Sequence, residues 1–250
     1  MNNIQKESNT QSNSNNEKAL EYANKAIKAD KKSPEGYVIK ADIYSYNLND
    51  YKSAAKFLQK AYDLYEGNAD FSFYMNYITT LHYLNRYKKA LELTDEALEK
   101  YPNNYDLISI KISGLQFTKQ YEQAKIETKK LIELDPTNQW TIYTKALTYY
   151  NCNCKKRDYD KVIELISPLE TAEIDEYGGK TGLLALCYCG KKDYEKSLQL
   201  LFEFAKQKNS NEFYTKNKKE LQKLFKKLYK RFPNDTRLQI ILKFFKDILI

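Results

Sequence analysis

Residues 87–104 read YKKALELTDEALEKYPNN and residues 121–138 read YEQAKIETKKLIELDPTN, and the two stretches align without a gap. Each opens on a Tyr-x-x-Ala element, Tyr87 with Ala90 and Tyr121 with Ala124. Small or apolar residues then recur at steps of three and four, Thr94 and Ala97 in the first, Thr128 and Leu131 in the second. That spacing makes a helix with one buried face. Pro102 and Pro136 close the two runs and stand 34 residues apart, and a fixed period of this size is the signature of a repeat array.

Upstream of each tyrosine lies a second helical pattern: Tyr74, Tyr77, Ile78 and Leu81 before Tyr87, then Ile108, Ile112 and Leu115 before Tyr121. The repeating unit is therefore a pair of helices joined by a short turn. Looser copies of the anchor are Tyr51 with Ala54, Tyr159 with Val162, and Tyr194 with Ser197, so repeats are expected at 34–70, 71–104, 105–138, 139–177 and 178–210. The first carries an extra residue in its inner turn, the fourth about four extra around Asn151 to Lys156, and the last lacks the closing proline. Residues 17–33 read as a lone second helix with a small face of Ala19, Ala23 and Ala26. Residues 211–250 read as a basic partial repeat on Leu221, Phe225 and Leu228, capped by a helix over about Asp235 to Ile250. The first sixteen residues hold six Asn, three Ser and the single aliphatic Ile4. Too little there is apolar to offset ordering, so 1–16 is expected to be a solvated, disordered tail ahead of a helical domain at 17–250.

This helix pair resembles the tetratricopeptide repeat, whose Trp, Leu-Gly, Tyr, Ala, Phe, Ala and Pro pattern sits at comparable offsets. The resemblance covers nearly the whole chain and implies an all-α fold, a right-handed superhelical solenoid of antiparallel helix pairs. Such repeats bury their apolar faces only by stacking, so most of the tyrosines, leucines and alanines named above are expected in the core.

Composition narrows the function. Lys+Arg number 41 against 33 Asp+Glu in 250 residues. The excess is local: residues 206–250 hold 13 against 4, a net of +9, and the rest of the chain is near neutral. Mean hydropathy is −0.74, and no stretch approaches the roughly 18 apolar residues of a spanning helix. The start lacks a basic and apolar leader pattern, which points to the cytoplasm. Four cysteines are too few for a disulfide scaffold.

Catalytic signatures are missing. The one histidine is His82, with no Ser-His-Asp or Cys-His pattern around it. Gly178-Gly179-Lys180-Thr181 resembles the end of a phosphate loop, but Ile174 stands where that loop needs its first glycine. Two C-x-C pairs, Cys152 with Cys154 and Cys187 with Cys189, hold enough thiols for zinc. On a helix, however, i and i+2 point to nearly opposite sides. No enzyme activity, metal or cofactor is expected.

In the resembled family, positions 2, 5, 9, 12 and 13 of each repeat line a concave ligand groove. Here they are Glu35, Val38, Asp42, Ser45 and Tyr46; Ser72, Met75, Thr79, His82 and Tyr83; Asp106, Ser109, Ser113, Gln116 and Phe117; Trp140, Tyr143, Leu147, Tyr150 and Asn151; then Gly179, Gly182, Leu186, Cys189 and Gly190. None is Lys or Arg, which disfavours both a clamp for a carboxylate tail and a nucleic-acid groove, since phosphates need facing cations. The candidate groove residues are Tyr46, His82, Tyr83, Phe117, Trp140, Tyr143 and Tyr150. Amphipathic rings with nearby acids suit a neutral or basic, partly apolar peptide, and the expected role is a protein-binding scaffold. Two alternatives remain: an adaptor touching nucleic acid or anionic membrane through Lys216 to Arg231, or a regulatory subunit of an enzyme complex. A surplus of apolar residues in the last helix, Ile240, Phe244 and Ile248, points to self-association.

Overall fold

The computed structural model describes residues 2–152, 157–169, 179–207 and 211–245, and none of these is in a strand. The chain divides into two compact units, Met1–Gln120 and Tyr121–Ile250. The division falls inside the repeat expected at 105–138. The first unit holds α1 (Asn2–Ala29), α2 (Glu35–Asp42) running into a π turn (Ile43–Asn47), α3 (Tyr51–Tyr65), α4 (Phe71–Tyr83), α5 (Tyr87–Lys100) and α6 (Tyr105–Phe117). The second holds α7 (Tyr121–Leu134), α8 (Gln139–Cys152), α9 (Tyr159–Ile166), α10 (Gly179–Gly190), α11 (Tyr194–Lys206), α12 (Asn211–Arg231) and α13 (Thr236–Phe244). Every anchor tyrosine is the first residue of a helix.

Short polar side chains set these starts by accepting from the free amides of the first turn. Asp70 accepts from the Phe73 N–H at 2.8 Å, Asn104 from Leu107 at 3.0 Å, Asp50 from Ser53 at 3.1 Å, and Asp193 from Lys196 at 3.2 Å. The inner turn is equally regular. Asn49, Asn85, Lys119 and Lys192, each two residues before an anchor tyrosine, have φ of 53°, 57°, 62° and 67°. Around Asn85, its own N–H reaches the His82 carbonyl at 2.9 Å while that of Arg86 reaches Leu81 at 2.9 Å. Lys119 with Gln116 and Gln120 with Leu115 repeat the pair, as do Lys192 with Cys189 and Asp193 with Tyr188. This left-handed cap satisfies the last carbonyls of the first helix while reversing the chain. In the first repeat the extra residue is taken up inside the helix rather than in the turn. The π turn at Ile43–Asn47 lets Leu48 N–H bond Ile43 at 3.1 Å and Asp50 N–H bond Tyr44 at 2.8 Å, so register is recovered by Asn49.

In the first unit the core centres on α4, where Tyr74, Tyr77, Ile78 and Leu81 are fully buried against Leu58, Ala61, Ala90 and Ala97. Buried phenols need partners. The hydroxyls of Tyr62 and Tyr74 both donate to the Glu96 carboxylate, and that of Tyr77 donates to Gln59 Oε1 at 2.8 Å. In the second unit Leu221, Phe225 and Leu228 of α12 and Leu238 and Ile241 of α13 share one core with Val162, Ile166, Leu183, Leu201 and Phe204. The basic end is thus built into that core.

Two expectations are corrected. The stretch expected as a disordered tail is the beginning of α1, which starts at Asn2. Asn16 is buried and accepts from Asn47 Nδ2 at 2.7 Å. No Gly or Pro interrupts residues 2–29, and extending a helix already anchored by packing costs far less than nucleating one. The second is the extra residue expected in the inner turn of 34–70, which lies in the π turn at Ile43–Asn47; at the other end, α12 is a long helix with a break in geometry at Asn217 (φ −111°, ψ 16°). The insertion residues 153–156 and residues 246–250, including Ile248, lie outside the described residues.

Lys119→Gly and Lys192→Gly are each expected to stabilise the chain by about 0.5–1 kcal/mol, because only glycine enters the left-handed region without a Cβ clash. Lys88→Gly, within α5, is expected to cost about 1 kcal/mol. Urea unfolding followed by circular dichroism measures all three, and opposite signs for turn and helix are the expected result.

Candidate functional site

Placement of the anchor tyrosine decides what the candidate residues can do. Tyr51 and Tyr87 each follow a left-handed turn and start a second helix, and the ring of each leans on the end of the next repeat's first helix. Tyr51 stacks on Tyr83 with centroids 4.3 Å apart and planes at 13°; Tyr87 stacks on Phe117 at 4.4 Å and 5°. In the second unit the same partner of Tyr159 is Gly190, where a β-carbon would collide with the ring. Tyr83 and Phe117 therefore have one face backed by a tyrosine and the other open, with 59% and 37% of their surface exposed. His82 meets the edge of Tyr87 at 5.3 Å and 82°. Tyr46, on the π turn, is 70% exposed. Its phenol is pushed up by partial burial and then by the neighbouring Asp42 and Tyr51. Asp42 accepts from Asn76, and half-burial raises its carboxyl above the ordinary range against that hydrogen bond. In the first unit, then, Tyr83 and Phe117 are each stacked on an anchor tyrosine, His82 meets the edge of Tyr87, and Tyr46 stands exposed on the π turn.

The second unit treats its candidates differently. Trp140 is exposed and meets Tyr143 edge-on at 6.1 Å and 84°. Tyr143 and Tyr150 are only 7% and 3% exposed and belong to the core, so the sequence-based placing of both in a ligand groove is corrected. The physical reason for Tyr150 is a polar knot. Its hydroxyl donates to Glu220 Oε2 at 2.6 Å and accepts from Arg157 Nη1 at 3.1 Å. Arg157 Nη2 closes the triangle on Glu220 Oε1 at 2.8 Å, and the guanidinium lies 4.1 Å from the centre of the Tyr150 ring. Burial, then Glu220, drives the phenol well above its ordinary range. Sequence reasoning missed Arg157 and Glu220. The available signal was Glu220 itself, the only acid between Lys216 and Arg231.

Other candidates resolve into structural roles. Cys187 and Cys189 are buried, and burial pushes the Cys187 thiol up to about 12, which suppresses the thiolate a metal or an electrophile needs. Cys154 lies outside the described residues. Lys180, from the glycine-rich string, donates to the carbonyls of Ser167 and Leu169 at 3.1 and 2.6 Å, tying a loop rather than facing a phosphate. On α12, Lys219, Lys223, Lys226, Lys227 and Lys230 are exposed while Leu221, Leu224, Phe225 and Leu228 are buried. Among the described residues of that helix, the apolar face of Leu221, Leu224, Phe225 and Leu228 is buried in the core and so is not available to lipid.

Among solved structures, a tetratricopeptide repeat protein from Parabacteroides merdae is similar over 98% of this chain and 97% of its own, with a TM-score of 0.65 and 14% identity. The fold is that of a tetratricopeptide-repeat protein. TTC0263 of Thermus thermophilus, a thermophilic protein of this repeat class, is similar over 87% of this chain and all of its own (TM-score 0.54, 14% identity). YrrB, described as a repeat protein of this kind with an unusual peptide-binding site, is similar over 73% of this chain and 90% of its own (TM-score 0.51, 21% identity). No family model and no curated protein matches the sequence. Among the described residues, no helix is long and apolar enough to cross a membrane.

Tyr150→Phe is expected to cost about 1 kcal/mol, because Arg157 and Glu220 remain paired without the hydroxyl. Glu220→Ala is expected to cost about 2 kcal/mol or more, since it leaves a half-buried guanidinium without its carboxylate. Chemical unfolding of the two variants should show that order, and the reverse order would mean that the phenol rather than the ion pair holds α12 in place.

Proposed function

We propose that this chain is a non-catalytic protein-interaction scaffold that holds a neutral or basic, partly apolar peptide on the aromatic surface of its first unit. The observation that carries this reading is the pair of half-open rings, Tyr83 on Tyr51 and Phe117 on Tyr87. A ring already stacked on one side has lost its freedom before a ligand arrives, so little further entropy is lost on binding. Tyr46 extends the surface, and exposed Asp106 and Glu35 favour a basic residue in the ligand. Trp140 offers a comparable exposed ring in the second unit.

The similar fold of YrrB, with its described peptide-binding site, supports the class of ligand. The packing of His82 on the Tyr87 edge and the hydrogen bond from Asn76 to Asp42 give both groups structural partners, which supports the non-catalytic reading. Four cysteines without a disulfide framework fit a reducing compartment, and we place the protein in the cytoplasm.

The test is selection of peptides from a random displayed library on the full chain, followed by calorimetry. Selected peptides should share an apolar residue near a lysine or arginine. Tyr83→Ala with Phe117→Ala should weaken them by about tenfold or more, while Tyr22→Ala, on α1, should leave them unchanged. Peptides that bind the double variant as tightly as the parent would overturn the reading.

A further inference from the structure

The second unit carries a surface that the peptide reading does not use. α7 and α8 pack side by side, and the hydroxyls of Thr128 and Thr148 meet at 3.0 Å in their seam. The second-helix position of Thr128 is also a fully buried threonine, Thr94, in the preceding repeat, and is filled by the fully buried Ile166 and Leu201 in the two later ones. A threonine that turns its hydroxyl back to the Ala124 carbonyl at 2.7 Å fills less space. Beside Thr128 and Thr148 lies an open groove with a volume of about 290 Å³, bounded by Ile132, Tyr149, Lys125, Lys129 and Lys145. Lys145 and Tyr149 lie about half a turn around α8 from Trp140 and Leu147, so this groove opens on a different side of the helix from the aromatic candidates.

Its chemistry is one-signed. Three lysines line it with Ile132, Tyr149 and two threonines, and no acid is among these lining residues. Lys125 pairs with Glu122 at 2.7 Å, and Lys129 approaches Glu133 only to 3.9 Å; both carboxylates are largely exposed, so both pairs are weak and easily exchanged. Lys145 is half-buried and has no carboxylate within ion-pair distance among the described residues. The volume lies at the lower limit of ligand pockets. It has room for one or two aliphatic side chains and too little for a cofactor. A trough between two helices, lined by apolar and basic residues, matches the helix-in-groove mode of recognition. A nucleic-acid strand fits poorly, because its phosphates would lie over Ile132 and Tyr149.

We propose that the α7/α8 groove is a docking site for an acidic amphipathic helix of a partner protein, with leucine-like side chains on Ile132 and Tyr149 and carboxylates on Lys125, Lys129 and Lys145. The site is independent of the aromatic surface of the first unit and selects the opposite charge.

The probe is a fluorescein-labelled helical peptide of about 16 residues, with leucines at i, i+3, i+4 and i+7 flanked by glutamates; its twin carries glutamines in their place. Fluorescence anisotropy on the full chain at low salt should show the glutamate peptide binding at least about tenfold tighter than its twin. Lys129→Glu with Lys145→Glu should abolish that difference, and Tyr149→Ala should weaken both peptides. These side chains are on the surface, and an unchanged thermal melt verifies that the variants are folded. Lys223→Glu with Lys226→Glu, an equal change of charge on α12, should leave binding within about twofold. The proposal is overturned if the twins bind equally or if the α12 variant loses as much as the groove variant, which would reduce the effect to attraction by a basic chain. It is also overturned if an oligothymidylate displaces the peptide from the parent but not from the groove variant, or if sedimentation shows that the groove joins two copies of the chain.

Discussion

A left-handed residue two positions before four of the five anchor tyrosines governs how the helices that follow are placed. With φ between 53° and 67° at Asn49, Asn85, Lys119 and Lys192, the chain reverses in a fixed number of residues and closes the orphan carbonyls of the helix it leaves. The reversal sets the rotation of the following helix, which places the tyrosine ring against the end of the next repeat. Two lysines occupy this position despite their Cβ, so the geometry is imposed by packing on both sides of the turn. The π turn at Ile43–Asn47 shows how firmly it is imposed, because the helix stores a surplus residue in order to keep the turn intact.

Tyrosine occurs 23 times in the chain, and several of the described copies fall into two uses. Where the ring is buried, a partner is supplied: Glu96 for Tyr62 and Tyr74, Gln59 for Tyr77, Glu220 with Arg157 for Tyr150. These bonds give specificity to a core that apolar contact alone would leave free to slide. Where only one face is covered, as at Tyr83, the open face remains for recognition. The same stacking scheme therefore supplies both cohesion and a candidate binding surface.

The two proposed surfaces differ in charge and in origin. The aromatic surface of the first unit follows from the repeat pattern itself, through residues at the ends of first helices. The groove between α7 and α8 lies beside the Thr128 and Thr148 seam and is lined by lysines, Ile132 and Tyr149 instead of by repeat-end aromatic rings. The two proposals together assign an acidic aromatic surface to the first unit and a basic apolar groove to the second.

The helix pairs were legible in the sequence because a buried face needs apolar residues at helical spacing and a helix start needs a short polar cap, both of which are local demands. Tyr-x-x-Ala, Asp70, Asn104 and the prolines mark the boundaries without knowledge of any neighbour. Which tyrosines remain open was decided only in three dimensions. Tyr143 and Tyr150 stand at the same repeat positions as residues that could face a ligand, yet Arg157 and Glu220, 63 residues apart, converge to bury one of them. No local pattern reports such a meeting, because burial depends on what else arrives at the same place. For the same reason the groove beside Thr128 could not be read from periodicity. A threonine fits a helix face as well as an isoleucine does, and the groove exists only once the neighbouring helix is packed against it.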